Sequence, residues 1–142
     1  MEWNYETVSR IRAKVHTNPR GAIAEIESFA DSLKGDVAYA INECEILVDA
    51  GASLGDSHVV QKGIRSGESV LSRAPEKDRP SLHYNIGNGY HSLFGISRGI
   101  EGFRYSPDDL NLQKAKCHAR KALDSLNLRS RPAEYVVNYA NA

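Results

Sequence analysis

Apolar residues recur every three or four positions along almost the whole chain, the spacing that lines one face of a helix. Val8, Ile11 and Val15 mark a first helix, closed at Asn18-Pro19, where the proline suits the first turn of the next. Ile23, Ile26, Phe29, Ala30 and Leu33 share a face of a second, expected to end at Gly35. Asp36 can accept a free backbone amide and so cap a third helix, which carries Val37, Ile41, Cys44 and Val48. Val60, Ile64, Gly67 and Leu71 give a fourth, Leu82, Ile86, Tyr90 and Leu93 a fifth, and Ala115, Ala119, Ala122 and Leu126 a sixth. A seventh begins at Pro132 and carries Val136, Val137 and Tyr139. No run alternates with period two for long enough to read as a strand. The pattern predicts an all-α chain of about seven helices.

The connections are mostly short, as antiparallel neighbours require. One is long: the fifth helix is expected to end near Gly95, and the next strong start signal is Ser106-Pro107-Asp108-Asp109. The stretch from Ile96 to Tyr105 reads as an inserted loop. Long loops retain such a mixture of glycine, charge and aromatic residues when they bind something, which makes Arg98, Phe103, Arg104 and Tyr105 candidate contacts. The competing reading folds Phe103 and Tyr105 back over the hairpin.

Composition narrows the function classes. At 142 residues and 41% hydrophobic, the chain can bury one ordinary core. Its 18 basic and 18 acidic side chains cancel, so no net field draws nucleic acid or anionic membrane. Local basic clusters occur at Arg10, Arg12, Lys14 and Arg20, and along the sixth helix and its exit at Lys114, Lys116, Arg120, Lys121, Arg129 and Arg131. They read first as solvated faces and second as a modest stripe for phosphate or an acidic partner. The amino terminus lacks a signal-peptide layout and no apolar run would span a bilayer, so a cytoplasmic location without membrane partners is expected. Cys44 and Cys117 have no CxxC partner and are expected to be reduced and buried.

Catalytic and cofactor chemistry finds no footing in the residues. His16, His58, His83, His91 and His118 form no metal-ligand spacing, and His83 and His91 lie too far apart along one helix to share an ion. His83 is expected to be a packed or groove-edge imidazole. Cys117 and His118 point about 100° apart on a helix and make no direct thiolate pair. The glycines build no phosphate-cradling loop. The chain is therefore expected to be no enzyme by itself, with no cofactor and no metal.

The segment Asn85-Ile86-Gly87-Asn88-Gly89-Tyr90 carries the main resemblance, because its pattern of asparagines and small residues returns at Asn138-Tyr139-Ala140-Asn141-Ala142. Together with Leu82-His83-Tyr84 it resembles the first helix of a tetratricopeptide repeat, with Gly87 at the small contact position. Ala115, Ala119 and Ala122-Leu123 are similar to the second helix. Gly63, Gly67, Val70-Leu71 and Pro75 keep the spacing that closes the preceding repeat. The family's repeat is about 34 residues, and the copies here are more widely spaced because of the stretch from 96 to 105. The third helix lacks the small-aromatic pair.

This resemblance implies a right-handed stack of helical hairpins over residues 36–142. Residues 1–35 are then expected to form an N-terminal hairpin at the capping end, and the last repeat is expected to be cut by the end of the chain. It also implies a protein or peptide partner held along a concave groove. Tyr84, Asn85, Asn88, His91, Asn138 and Asn141 are then the groove residues, the amides offering both donor and acceptor to a peptide backbone. Tyr84 stands where members that clamp a carboxyl terminus carry a lysine, so that clamp is not expected. The pairing of the two asparagine-rich helices also resembles the amino-terminal region of bacterial proteins ending in a HEPN-type ribonuclease domain. That resemblance implies an RNA-binding or regulatory role, with the catalytic domain beyond residue 142. Arg10 and His16 do not reproduce the ribonuclease motif, since Ile11 stands in place of its polar residue.

Overall fold

The structure is a computed structural model that describes residues 2–101 and 109–124; the side chains of 98–101 lie outside that description. It contains six α-helices among the described residues: α1 (Tyr5–Lys14), α2 (Pro19–Glu27), α3 (Val37–Leu54), α4 (Ser57–Val70), α5 (Arg79–Glu101) and α6 (Leu110–Asp124). A 3-10 turn, Glu76–Asp78, leads into α5. The described residues hold no strand, as the missing period-two pattern predicts.

Helix starts are set by side-chain caps. Asn4, Asn18, Asp36 and Asp56 each accept a backbone amide of the first turn, at Thr7, Gly21, Tyr39 and His58 with Val59 respectively. Pro19 occupies the first turn of α2, as its fixed φ favours. Gly55 ends α3 at φ 66°, and Gly35 precedes α3 at φ 84°; both lie in the left-handed region that glycine enters without strain.

Two boundaries differ from the sequence expectation. The second helix stops at Glu27 rather than running to Gly35. The hydroxyls of Ser28 and Ser32 donate to the carbonyls of Glu25 (2.6 Å) and Phe29 (3.2 Å), and the amides of Phe29 and Ala30 bond three residues back. These bonds tighten the chain into successive turns at the expense of the helical ladder. The fifth helix, by contrast, does not end near Gly95 but continues to Glu101, so Ile96 to Glu101, expected as loop, is helical, and residues 102–105 lie outside the described residues. Gly95 is exposed and meets no neighbouring atom, so it carries only the modest propensity cost of an interior glycine. The described part of α6 begins at Leu110, where Asp109 Oδ1 accepts the amides of Asn111 (2.9 Å) and Leu112 (3.1 Å). The Ser106-Pro107 start signal and the seventh helix from Pro132 lie outside the described residues.

Among the described residues, every extensive helix contact includes an odd-numbered helix: α1 with α2, α2 with α3, α3 with α4, α4 with α5, α5 with α6, and α1 with α3 and α3 with α5. Two apolar clusters result. Ile11, Val15, Ala22, Ile26, Phe29, Tyr39, Ile46 and Leu47 join α1 and α2 to one side of α3, with Trp3 edge-on to Phe29 and Tyr39 at 5.2 Å each. Cys44, Val48, Val60, Ile64, Leu82, Ile86 and Tyr90 join the other side of α3 to α4 and α5. Glycines permit the close approach. A Cβ on Gly67 would stand 2.7 Å from Cys44 Sγ, one on Gly51 would stand 2.8 Å from the Val60 backbone nitrogen, and one on Gly89 would stand 2.5 Å from Ile64 Cγ1.

Candidate functional site

Polar side chains line one side of α3 and α5, and Arg12 of α1 reaches the α3 line. On α3, Ala38, Asn42, Glu45, Asp49 and Ser53 follow one another at roughly one-turn spacing and are exposed or half-buried. The opposite face of α3 is turned to α4, where Gly63 approaches Leu47 and Val48. On α5, Tyr84 and Asn88 are half-buried and His91 is exposed, while Ile86 and Gly89 on the opposite face pack toward Gly67 and Ile64 of α4. Both stripes therefore point away from α4.

Arg12 on α1 and His16 in the turn after it reach across to the α3 stripe. Arg12 donates to Asn42 Oδ1 (2.8 Å) and to Glu45 Oε2 (2.6 Å from Nη2, 3.0 Å from Nε), and His16 Nδ1 lies 3.2 Å from Ser53 Oγ. Asn42 in turn donates to the Ala38 carbonyl at 2.9 Å. These contacts fix the orientation of the Asn42 and Glu45 side chains. Asp49 lies next to them, and burial together with the nearby Glu45 charge pushes its carboxyl up to about 6, with His16 and Arg12 opposing.

The residues expected at the groove are distributed unevenly. Tyr84, Asn88 and His91 share the outward side of α5, and Tyr84 also packs against Ala122 and Leu123 of α6. Asn85 is buried, with 7% of its surface exposed, and so lies inside the packing and not on the open stripe. Asn138, Asn141, Phe103, Arg104 and Tyr105 lie outside the described residues. Arg98 belongs to α5 by its backbone.

A second cluster joins the inner side of α5 to α6. His83 Nδ1 and His118 Nδ1 lie 2.8 Å apart, so one ring donates to the other, and Tyr90 stacks on His118 with centroids 5.8 Å apart. Lys114 Nζ stands over the Tyr90 ring at 5.1 Å, and the Tyr90 hydroxyl donates to Glu68 of α4. Gly87 makes room for this arrangement: a Cβ there would meet His118 Cβ at 3.2 Å and the Ala115 carbonyl at 3.3 Å. Burial lowers both imidazoles, His118 to about 4, and His83, Lys121 and Lys114 add to the effect on His118. His83 is thus a packed imidazole, as the sequence suggests, but its partner lies on another helix and no spacing rule points to it. No group of three or more His, Cys, Asp or Glu side chains is placed to hold a metal ion among the described residues.

Several sequence expectations resolve here. Cys44 is buried, whereas Cys117 is exposed, contrary to the expectation of two buried thiols, because α6 turns that position outward. The basic group near the first turn is engaged in ion pairs: Arg10 (2.8 Å) and Lys14 (2.6 Å) both reach Glu25, and Arg12 reaches Glu45. Lys14 and Arg10 hold the Glu25 carboxyl below its ordinary value against the opposing effect of burial. Among the described residues, no helix is long and apolar enough to cross a membrane. No protein-family model, curated protein or solved structure matches this chain.

Proposed function

We propose that the chain is an interaction module that binds an extended segment of a partner protein across the α1, α3 and α5 face. The observation that carries this reading is the layered contact pattern. The odd-numbered helices adjoin one another, and their outward stripes present Arg12, Asn42, Glu45, Asp49, Asn88 and His91 on one side. Such a surface offers side-chain amides to a peptide backbone and charges of both signs to its side chains. The arrangement is compatible with a tetratricopeptide-like right-handed stack of hairpins, in which α1–α2, α3–α4 and α5–α6 are successive units. Gly87 against Ala115 and His118 supports a close first-to-second helix contact within the last of these.

The test is a selection of displayed random peptides on the 142-residue chain, followed by binding of the enriched peptides at 50 and 500 mM salt. A scaffold gives enriched peptides whose binding tolerates salt and weakens in the Asn42→Ala, Asn88→Ala double variant. Binding of RNA but not peptide, falling steeply with salt, would assign the surface to nucleic acid instead.

A further inference from the structure

A cleft of about 200 Å³ opens between the turn before α3, one side of α3 and the end of α4. It lies apart from the outward stripes. At its inner end is Glu43, whose side chain is buried, the residue keeping 8% of its exposure. The Tyr39 hydroxyl lies 2.6 Å from Glu43 Oε2 and 2.9 Å from the Ile26 carbonyl, and the Ser66 hydroxyl donates to Glu43 Oε1. Among the described residues, no cation pairs with Glu43. A carboxylate has about four acceptor directions, and two hydroxyls occupy at most two of them. A buried carboxylate without a cation is costly, so the inner end of the cleft favours a positive group.

The outer end has the opposite character. Lys34 and Arg73 line it, both exposed, and Arg73 Nη1 lies 3.4 Å from the Gly35 carbonyl, across the mouth. Asp36, also at the mouth, accepts the Tyr39 amide at 2.7 Å, so its carboxylate is partly engaged in capping. The rest of the lining includes the apolar Ala30, Leu33, Ala40 and Val70, with Ser69 at the exposed rim. Along α3 the distance from Asp36 to Glu43 is about 10 Å at the helical rise per residue. Acid at one end, bases at the other and apolar lining residues besides match one kind of molecule.

We propose that this cleft binds a small linear zwitterion, an ω-amino acid with one charge at each end. Its terminal ammonium meets Glu43 and its carboxylate meets Arg73 and Lys34. The methylene chain covers Ala40 and Val70, as the stems of long charged side chains cover apolar surface. The volume is below the 300–1,000 Å³ typical of pockets for larger ligands, which restricts the occupant to roughly ten heavy atoms. Ordering the exposed Lys34 and Arg73 side chains costs entropy, so the affinity is modest, on the order of 1 mM.

The test is calorimetric titration of the full chain with 5-aminopentanoate, with n-pentylamine and pentanoate as probes of one charge each. The proposal expects the zwitterion to bind at least about tenfold more tightly than either probe. It expects Glu43→Gln and the Lys34→Ala, Arg73→Ala double variant each to lose about tenfold. Should Glu43→Gln not fold, Ser69→Trp at the exposed rim fills the middle of the cleft and is expected to abolish binding. Equal affinity for the zwitterion and n-pentylamine, binding unaffected by Ser69→Trp, or no binding of 5-aminopentanoate at about 20 mM would each overturn it.

Discussion

His83 and His118 meet through their Nδ1 atoms at 2.8 Å, joining α5 to α6 by a hydrogen bond that exists only while at least one ring stays unprotonated. Burial depresses both imidazoles, and Lys121 faces each of them, with Arg79 beside His83 and Lys114 beside His118. A histidine whose folded value is lowered contributes stability above its unfolded value of about 6.5 and loses that contribution as pH falls through the folded value, about 4 for His118. The unfolded chain takes up the proton first. The expected loss between pH 7 and pH 4 is about 1–2 kcal/mol after allowance for the partial exposure of His118. Urea unfolding at the two pH values checks it, with His118→Phe expected to flatten that part of the profile while keeping the ring stack on Tyr90.

Asp49 has the opposite sign over an overlapping range. Its carboxyl is pushed up to about 6 by burial and Glu45, so the folded state holds the proton more tightly than the unfolded chain does. Stability from this group is present at low pH and is lost as pH rises through that value. Asp49→Asn should stabilise the protein by about 1–3 kcal/mol at pH 7.5 and by little at pH 4. Paired thermal melts of the two proteins at both pH values measure this difference.

The glycines at helix crossings should differ in their tolerance. Gly87→Leu should cost about 1–3 kcal/mol by pushing α6 away through Ala115 and His118. Gly87→Ala should be near neutral, because a Cβ at 3.2–3.3 Å needs only a small adjustment and alanine gains about 1 kcal/mol in helix propensity. Gly67→Ala should destabilise clearly, since its Cβ would stand 2.7 Å from Cys44 Sγ and 2.9 Å from Ile86 Cγ1. Chemical denaturation midpoints order the three variants.

Arg12 organises the outward stripe by holding both Asn42 and Glu45. The ion pair is partly exposed, so Arg12→Ala should cost only about 0.5–1 kcal/mol in stability. Its effect on peptide binding should be larger than this, because both side chains lose their fixed orientation. Comparing the change in melting temperature with the change in peptide affinity separates the two effects.

The all-helical class could be read from the sequence because three- and four-residue spacing reports burial directly. The Asp36 cap and the Pro19 start were legible because their signals act within one turn. The end of α2 was obscured by Ser28 and Ser32, whose hydroxyl bonds compete with the helix without breaking the apolar pattern. Gly95 looked like a terminator, but a glycine ends a helix when the chain needs a left-handed residue, as at Gly55, and α5 does not turn there. Contacts between distant positions had no local signal at all. His83 with His118, Ser66 with Glu43 and Arg12 with Glu45 exist only after the hairpins have packed.

Partner peptides are proposed to lie across α1, α3 and α5. Backbone amide chemical-shift mapping with a peptide enriched by selection tests this most directly. Shifts are expected to concentrate at Arg12, Asn42, Glu45, Asp49, Asn88 and His91, with little change on the outer faces of α2, α4 and α6. Shifts centred on the exposed positions of α4 and α6, such as Arg65 and Lys116, with the α3 stripe unmoved, would contradict it.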